Sequence, residues 1–592
     1  IALRSGLELV LTGSVVTDNG NIMVDSDDSL DLSGIVNSDR GDIELSSGGN
    51  FDLSGDVTAN IGNIAINAID GLYIGGAVSS VDGGRIELTT GGNLVVDGEI
   101  AATGTVLLNA VGAITELNNG RIVGASLLET RSGRGQALTG VNRVSVFRAV
   151  NTGTGAIQFV NSGLPLLVKS VIQEQAGEDI WISSASDIAV EQIWATAGLV
   201  ELESDQGSIT NANQNEAAVV AGDVILKAQS GSIGSEEKLL VIDSGNGSNG
   251  SVTANAKGNI AIAENSGDFA AAVISSAEGD LIIMANGSII SASSAAANER
   301  NFSGVNIDLL AQNGSIGTAA NRVSASAVQV LNAKAKGNIF LDAVNGLTTQ
   351  MLVSELGSIN LYVTGGRLDA ELIEANAGLT VAADDVAIAR LVHTGDGSLG
   401  LAFTGVSNEM ADNVVIRELA GRDIQVERLI ANFSSIISEA ERIRFDYFDV
   451  GTYAYVASEN NTVAIDSVVT KLRDVSLQLY SNCKPFNLLL NSNRKVETSA
   501  LVINCDRDYT INGVKGGISI IAFAQAIMHG DQLPSRLGIF PYPSVFNLGV
   551  QSLISFGQDI VSTVDDEEDT EDDEAVQEEG DSGEEDQNAE QQ

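Results

Sequence analysis

The chain reads as an all-β protein, a parallel β-helix advancing about 21 residues per coil. Two recurring phrases and the composition predict it. The first phrase is Gly20-Asn21-Ile22, Gly41-Asp42-Ile43, Gly62-Asn63-Ile64, Gly84-Arg85-Ile86 and Gly104-Thr105-Val106, with steps of 21, 21, 22 and 20 residues. The second runs out of phase with it: Leu9-Val10-Leu11, Leu30-Asp31-Leu32, Phe51-Asp52-Leu53, Leu72-Tyr73-Ile74 and Leu94-Val95-Val96, with steps of 21, 21, 21 and 22. Two independent phrases on one period mark a repeat architecture. The 592 residues include 64 glycines, 5 prolines and only 4% aromatics, a composition of turns and thin strands.

Each element follows from these phrases. Apolar residues alternate with variable ones, so Ile43 and Leu45 face one side and Glu44 the other, as in a half-buried strand. Gly, Asn and Asp bound each phrase and suit tight turns. One period therefore holds two short strands, with room for a third through Val15-Val16, Val36, Val57 or Val78. Such a unit buries its apolar face only by stacking on its neighbours. A leucine-rich horseshoe has a similar period but needs a Leu-rich consensus with Asn or Cys, which is missing here. Propeller blades need about twice the period.

Residues 1–125 form the regular array. Residues 126–477 continue it in less regular coils with loop insertions. The period blurs over 126–175, around Arg131-Ser132-Gly133-Arg134-Gly135 and Pro165, and resumes at Gly177 to Ile182 and Gly198 to Leu202. Extra residues between Ser291 and Phe302 predict a bulging loop. The segments Asp223 to Gly234 and Asn306 to Gly317 both end in Gly-Ser-Ile-Gly and read as related coils. The texture changes after about 450. Gly517 to Met528 reads as a last strand or a short helix, and Pro534, Pro541 and Pro543 break regular structure. An open solenoid end is an unpaired sheet edge, so 478–564 is expected to be a C-terminal cap. The tail 565–592 has 16 acidic residues and no Lys, Arg or aromatic residue, and is expected to be disordered.

With 31 basic and 78 acidic residues the formal net charge is −47. Such a polyanion should repel nucleic acid and anionic membranes. No apolar run approaches the length of a transmembrane segment. No signal peptide is visible, and the chain opens at Ile1 inside a strand-like phrase, which reads as a fragment or processed piece.

The Gly-Asn-Ile and Gly-Ser-Ile strands, the Ala-rich spacers, and Gly-Ser-Ile-Gly followed by Leu239-Leu240-Val241 or Val323 resemble the filamentous-haemagglutinin-like large exoproteins of Gram-negative bacteria. The resemblance covers roughly 1–450. It implies a right-handed parallel β-helix, secretion through an outer-membrane transporter of the two-partner type, and an extracellular or bacterial outer-surface location. The family's secretion domain carries Asn-Pro motifs, and this chain has no Asn-Pro pair, which fits a C-terminal fragment. The function so implied is that of an adhesive or structural stalk, non-enzymatic, whose lateral faces or loops meet a cell-surface receptor or carbohydrate. The alternative is an extracellular polysaccharide lyase or hydrolase on the same scaffold.

Candidate chemistry is sparse. No catalytic residue, cofactor or metal ligand is assigned. Asp25, Asp27 and Asp28, and Asp384-Asp385, read as solvated turn residues, because acid–base pairs must converge in space. Asp31 and Asp52 stack on successive coils, but Tyr73 and Val95 interrupt a calcium ladder there. His393 and His529 read as turn residues. Trp181 and Trp194 form either an outward aromatic contact patch or core filling at a coil corner. Cys483 and Cys505 lie 22 residues apart, about one coil, and are a disulfide candidate; free buried thiols are the other reading.

Overall fold

A computed structural model describes residues 1–438, apart from 215, 246–249, 293–299, 407–408 and 422, and beyond them strand backbone as far as Met528. Residues 1–538 form one unit; the second, 539–592, lies outside the described residues. The described chain is all β-strand and turn, a solenoid of about 20 turns with roughly 21 residues each.

In the regular array each turn contributes three strands, as in Ile43–Ser47, Phe51–Leu53 and Asp56–Ile61. Every strand pairs in parallel with its counterpart one coil on, so Ile22, Ile43, Ile64, Ile86 and Val106 form one inward column. These five side chains are at most 1% exposed. A second inward column is Leu30, Phe51, Leu72, Leu94 and Ile114. The third strand has its own six-stranded sheet, from Ser14–Thr17 to Arg121–Val123, and buries Val36, Val57, Val78, Ile100 and Ile122.

The recurring Gly-x-Ile phrase has a stacking cause. A Cβ built on Gly41 would collide with the carbonyl of Gly20, and one on Gly62 with that of Gly41. Both glycines also hold φ near +152°, which side chains rarely adopt. The next residue links the coils. The Asp42 N–H donates to Asn21 Oδ1 at 3.0 Å, the Asn63 N–H to Asp42 Oδ1 at 2.8 Å and the Arg85 N–H to Asn63 Oδ1 at 2.9 Å. Serine does the same in later coils: Asn338 N–H donates to Ser315 Oγ at 3.0 Å, and Ser358 N–H to Asn338 Oδ1 at 2.8 Å. Asn, Asp and Ser recur at the middle position because each can accept a backbone N–H one coil away; Arg85 and Thr105 take the place in two coils of the regular array.

Over 126–175 the solenoid continues through Leu127–Ser132, Gln136–Asn142, Val146–Asn151, Ile157–Asn161 and Leu166–Gln173. The third sheet ends there in a single bridge, Val123 to Arg143. Buried amides replace the glycine turns. Asn151 accepts from Gly135 N–H at 2.8 Å and donates to Gly153 and Gly155 carbonyls at 2.7 Å each. Asn142 accepts from Ile122 N–H at 2.7 Å, and Asn161 from Val144 N–H at 2.9 Å. Phe147 and Phe159 stack inside, with ring centroids 4.0 Å apart.

The two Gly-Ser-Ile-Gly segments are structurally equivalent. Ile233 bridges Ile209 and Ile260, and Ile316 bridges Ile289 and Ile339. Gly234 and Gly317 follow with φ of +64° and +68°, each donating 2.8 Å to the isoleucine carbonyl one coil back. Most of the expected loop between Ser291 and Phe302 lies outside the described residues.

Parallel stacking passes the expected boundary at 477, through Phe486–Leu490 and Val496–Cys505. It then reverses: Ile521–Met528 is a strand, antiparallel to Val496–Cys505. Residues 529–564 of the expected cap and the acidic tail 565–592 lie outside the described residues.

Candidate functional site: the lateral faces

Because strand side chains alternate, every second residue of each coil stands on a lateral face in a column with one member per coil. The column Val10, Asp31, Asp52, Tyr73, Val95, Thr115 holds the predicted acidic pair. Partial burial, and then the Asp31 charge, raise the Asp52 pKa. The next residue ends the ladder by turning to another partner. The Tyr73 hydroxyl donates to Asp97 Oδ2 at 2.8 Å, and Asn118 Nδ2 donates to Asp97 Oδ1 at 3.1 Å. Those two bonds, Tyr73 first, lower the Asp97 pKa.

Asp27 and Asp28 are exposed, and Asp25 lies 3.6 Å from Arg4. Asp384 is a turn residue whose Oδ1 accepts the Val406 N–H at 3.1 Å. Among the described residues no group of three or more His, Cys, Asp or Glu is placed to hold a metal ion.

Both tryptophans point outward. Trp181 sits between Gln158 and Glu201 in one column, and Trp194 between Ile172 and Val220 in another. Trp194 is 40% exposed and its Nε1 donates to Thr196 Oγ1 at 3.0 Å. They share a coil and stand on different strands, so neither fills the core. His393 is the buried end of strand Asp385–His393, opposite Ala375, with Nε2 2.8 Å from the Asn376 carbonyl. The turn expected there begins one residue later. Cys483 lies outside the described residues; the backbone of Cys505 is in register with Ser481. His529 also lies outside them.

Two buried carboxyls were not among the sequence candidates. Glu116 takes the inward place held by Leu32, Leu53, Ile74 and Val96 on earlier coils. Its Oε2 accepts Gly140 N–H at 2.7 Å and Asn142 Nδ2 at 3.0 Å. Burial outweighs those bonds and raises its pKa to about 7. Glu264 ends strand Ile260–Glu264 and accepts Ser244 Oγ at 2.6 Å and Ser244 N–H at 3.0 Å. Burial again dominates, and its pKa rises to about 8. The signal was a Glu at an inward position of an alternating strand. Both are enclosed, at 7% and 3% exposure, so they act on coil stability rather than on a ligand.

The faces therefore offer columns of small polar and charged groups at strand spacing, suited to contact over length. Compared with protein families, with curated proteins and with solved structures, the chain matches none.

Proposed function

We propose that this chain is a structural or adhesive exoprotein displayed at a bacterial surface, a stiff β-helical stalk that binds through its lateral faces or loops. The observation that carries the reading is the parallel stacking of strand on strand, coil after coil, through the described residues as far as the antiparallel strand Ile521–Met528. Stiffness follows from cross-coil hydrogen bonds made by every strand and by the Asn, Asp and Ser turn residues. Secretion by a two-partner transporter belongs to the same proposal and rests on the Gly-Asn-Ile and Gly-Ser-Ile resemblance.

The test has two arms. Purified full-length chain is applied to immobilised cell-surface glycans and to cells, and saturable binding is expected. In parallel it is incubated with acidic and neutral polysaccharides while reducing ends and unsaturated products are followed. Accumulation of either product under turnover conditions would replace the stalk by a polysaccharide-cleaving enzyme.

A further inference from the structure

Charge is segregated along one lateral face. From Asp18 to Asp56 there are ten carboxylates and one cation, Arg40. From 117 to 173 there are six cations and one carboxylate, Glu129, in a chain whose net charge is −47. The face built on Ile22–Ser26 and its successors carries both regions in the same columns. One column runs Asp25, Ser46, Asn67, Thr89, Asn109, Arg131. Its neighbour runs Glu44, Ala65, Glu87, Leu107, Glu129, Arg148. A third, along the turn, runs Asp28, Gly49, Asp70, Gly92, Gly112, Arg134, joined by backbone hydrogen bonds.

In all three the acid and the base are five coils apart, about 24 Å at ~4.8 Å per coil. Lys169 extends the basic end from the bulge between Val168 and Ser170. Arg131, Arg134 and Lys169 have no ion-pair partner among the described residues, nor have Asp27, Asp28 and Glu44. The opposing charges are few. Arg4 lies 3.6 Å from Asp25, Glu129 lies 3.7 Å from Arg148, and Glu87 is held by Arg85 at 3.1 Å.

We propose that this face pairs with the same face of a second copy, antiparallel, about a twofold axis lying across the solenoid near Thr89. That operation, with the axis midway between the coils of Asn67 and Thr89, lays each column on its own copy in reverse, so acid meets base at both ends of the Asp25–Arg131 and Asp28–Arg134 columns, while the Glu44–Arg148 column, set one coil further on, brings Glu44 against Leu107. A parallel twofold would set acid on acid, so the charge pattern selects the orientation. The neutral middle of Ser46, Asn67, Thr89 and Asn109 lets the faces approach. The long-range repulsion of two −47 chains is screened beyond about 8 Å at physiological salt, whereas facing pairs are closer than that. Eight coils of five-residue strands give about 600 Å² per copy, about 1,200 Å² in all, the lower bound of stable interfaces. A reversible, concentration-dependent dimer is therefore expected.

The test is sedimentation of the full-length chain across a concentration series at physiological ionic strength. The chain is expected to shift from monomer to twice the monomer mass. Arg131→Glu with Arg134→Glu, and separately Asp25→Lys with Asp28→Lys, are each expected to raise the dissociation constant at least about tenfold. Mixing the two variants restores both complementary ends and should recover the dimer mass. If either variant melts differently from the parent, the neutral pairs Arg131→Gln with Arg134→Gln and Asp25→Asn with Asp28→Asn replace it. A parent that stays monomeric at every concentration overturns the proposal, including one in which the basic end instead captures an added anionic polysaccharide. So does a dimer indifferent to the charge reversals, or variants that fail to pair when mixed.

Discussion

Glu264 shows how one residue couples the coil to pH. Its carboxyl is buried against Ser244, with Asp243 adding repulsion, and its pKa stands at about 8 rather than 4.5. The folded state therefore keeps a proton that the unfolded state has lost between those values. Stability falls as pH rises through that window, by about 1.4 kcal/mol per unit from this group. Glu116, at about 7, adds a narrower window of the same sign. Thermal melts of the parent from pH 5 to about 8 should show this decline, and Glu264→Gln should flatten it; an unchanged slope would mean the carboxyl is solvated. Glu116→Leu restores the apolar column but strands the Gly140 N–H and takes from Asn142 Nδ2 the nearest of its three acceptors, so it should destabilise by roughly 1–3 kcal/mol in denaturant melts. Gly62→Ala forces a methyl group against the Gly41 carbonyl at a φ suited to glycine, and is expected to cost more than the usual ~1 kcal/mol of a Gly–Ala exchange.

At the scale of the element, the turn phrase is a hydrogen-bond relay. Asp42 accepts the backbone N–H and the Nδ2 of Asn63 across the coil and presents its own N–H to Asn21, so Asp42→Ala should cost about 1 kcal/mol, and Asp42→Asn much less. Equal losses in both would mean that the charge, and not the acceptor oxygen, matters. The irregular coils over 126–175 are held instead by inward amides and by the Phe147–Phe159 stack. Phe159→Ala is expected to lose about 3–5 kcal/mol, or to release this stretch as a separate early transition in hydrogen exchange. Sequence periodicity blurs there because an inward Asn or Gln can satisfy several backbone groups in a turn of any length, so no fixed spacing is required.

For the whole molecule, the strand pairings among the described residues run between neighbouring coils, with Arg322 a longer reach to Asn360 two coils on, so stability behaves largely as a sum of local terms. Gly62→Ala and Glu264→Gln, about ten coils apart, should therefore combine additively to within about 0.5 kcal/mol. Net charge acts on every coil at once. Added salt screens the self-repulsion of a chain with 78 acidic and 31 basic residues, and the melting temperature should rise with ionic strength. A fall would mean that the ten ion pairs among the described residues outweigh the repulsion.

The amino-acid sequence by itself determined the strand class, the period, the inward residues of the regular array and the place of the third strand. All of these follow from local alternation and a fixed repeat, which are visible in one dimension. It also placed the two Gly-Ser-Ile-Gly coils as a related pair, since the same bridge and left-handed glycine need the same residues. Only the tertiary structure decided what depends on register between coils: that Trp181 and Trp194 stand outward in separate columns, that His393 is buried, and that Tyr73 is drawn to Asp97. The same holds for the inward Glu116 and Glu264 and for the acid and base ends of one face. Most of these groups meet partners on another coil, and a shift of one residue in coil length would turn a side chain to the opposite face.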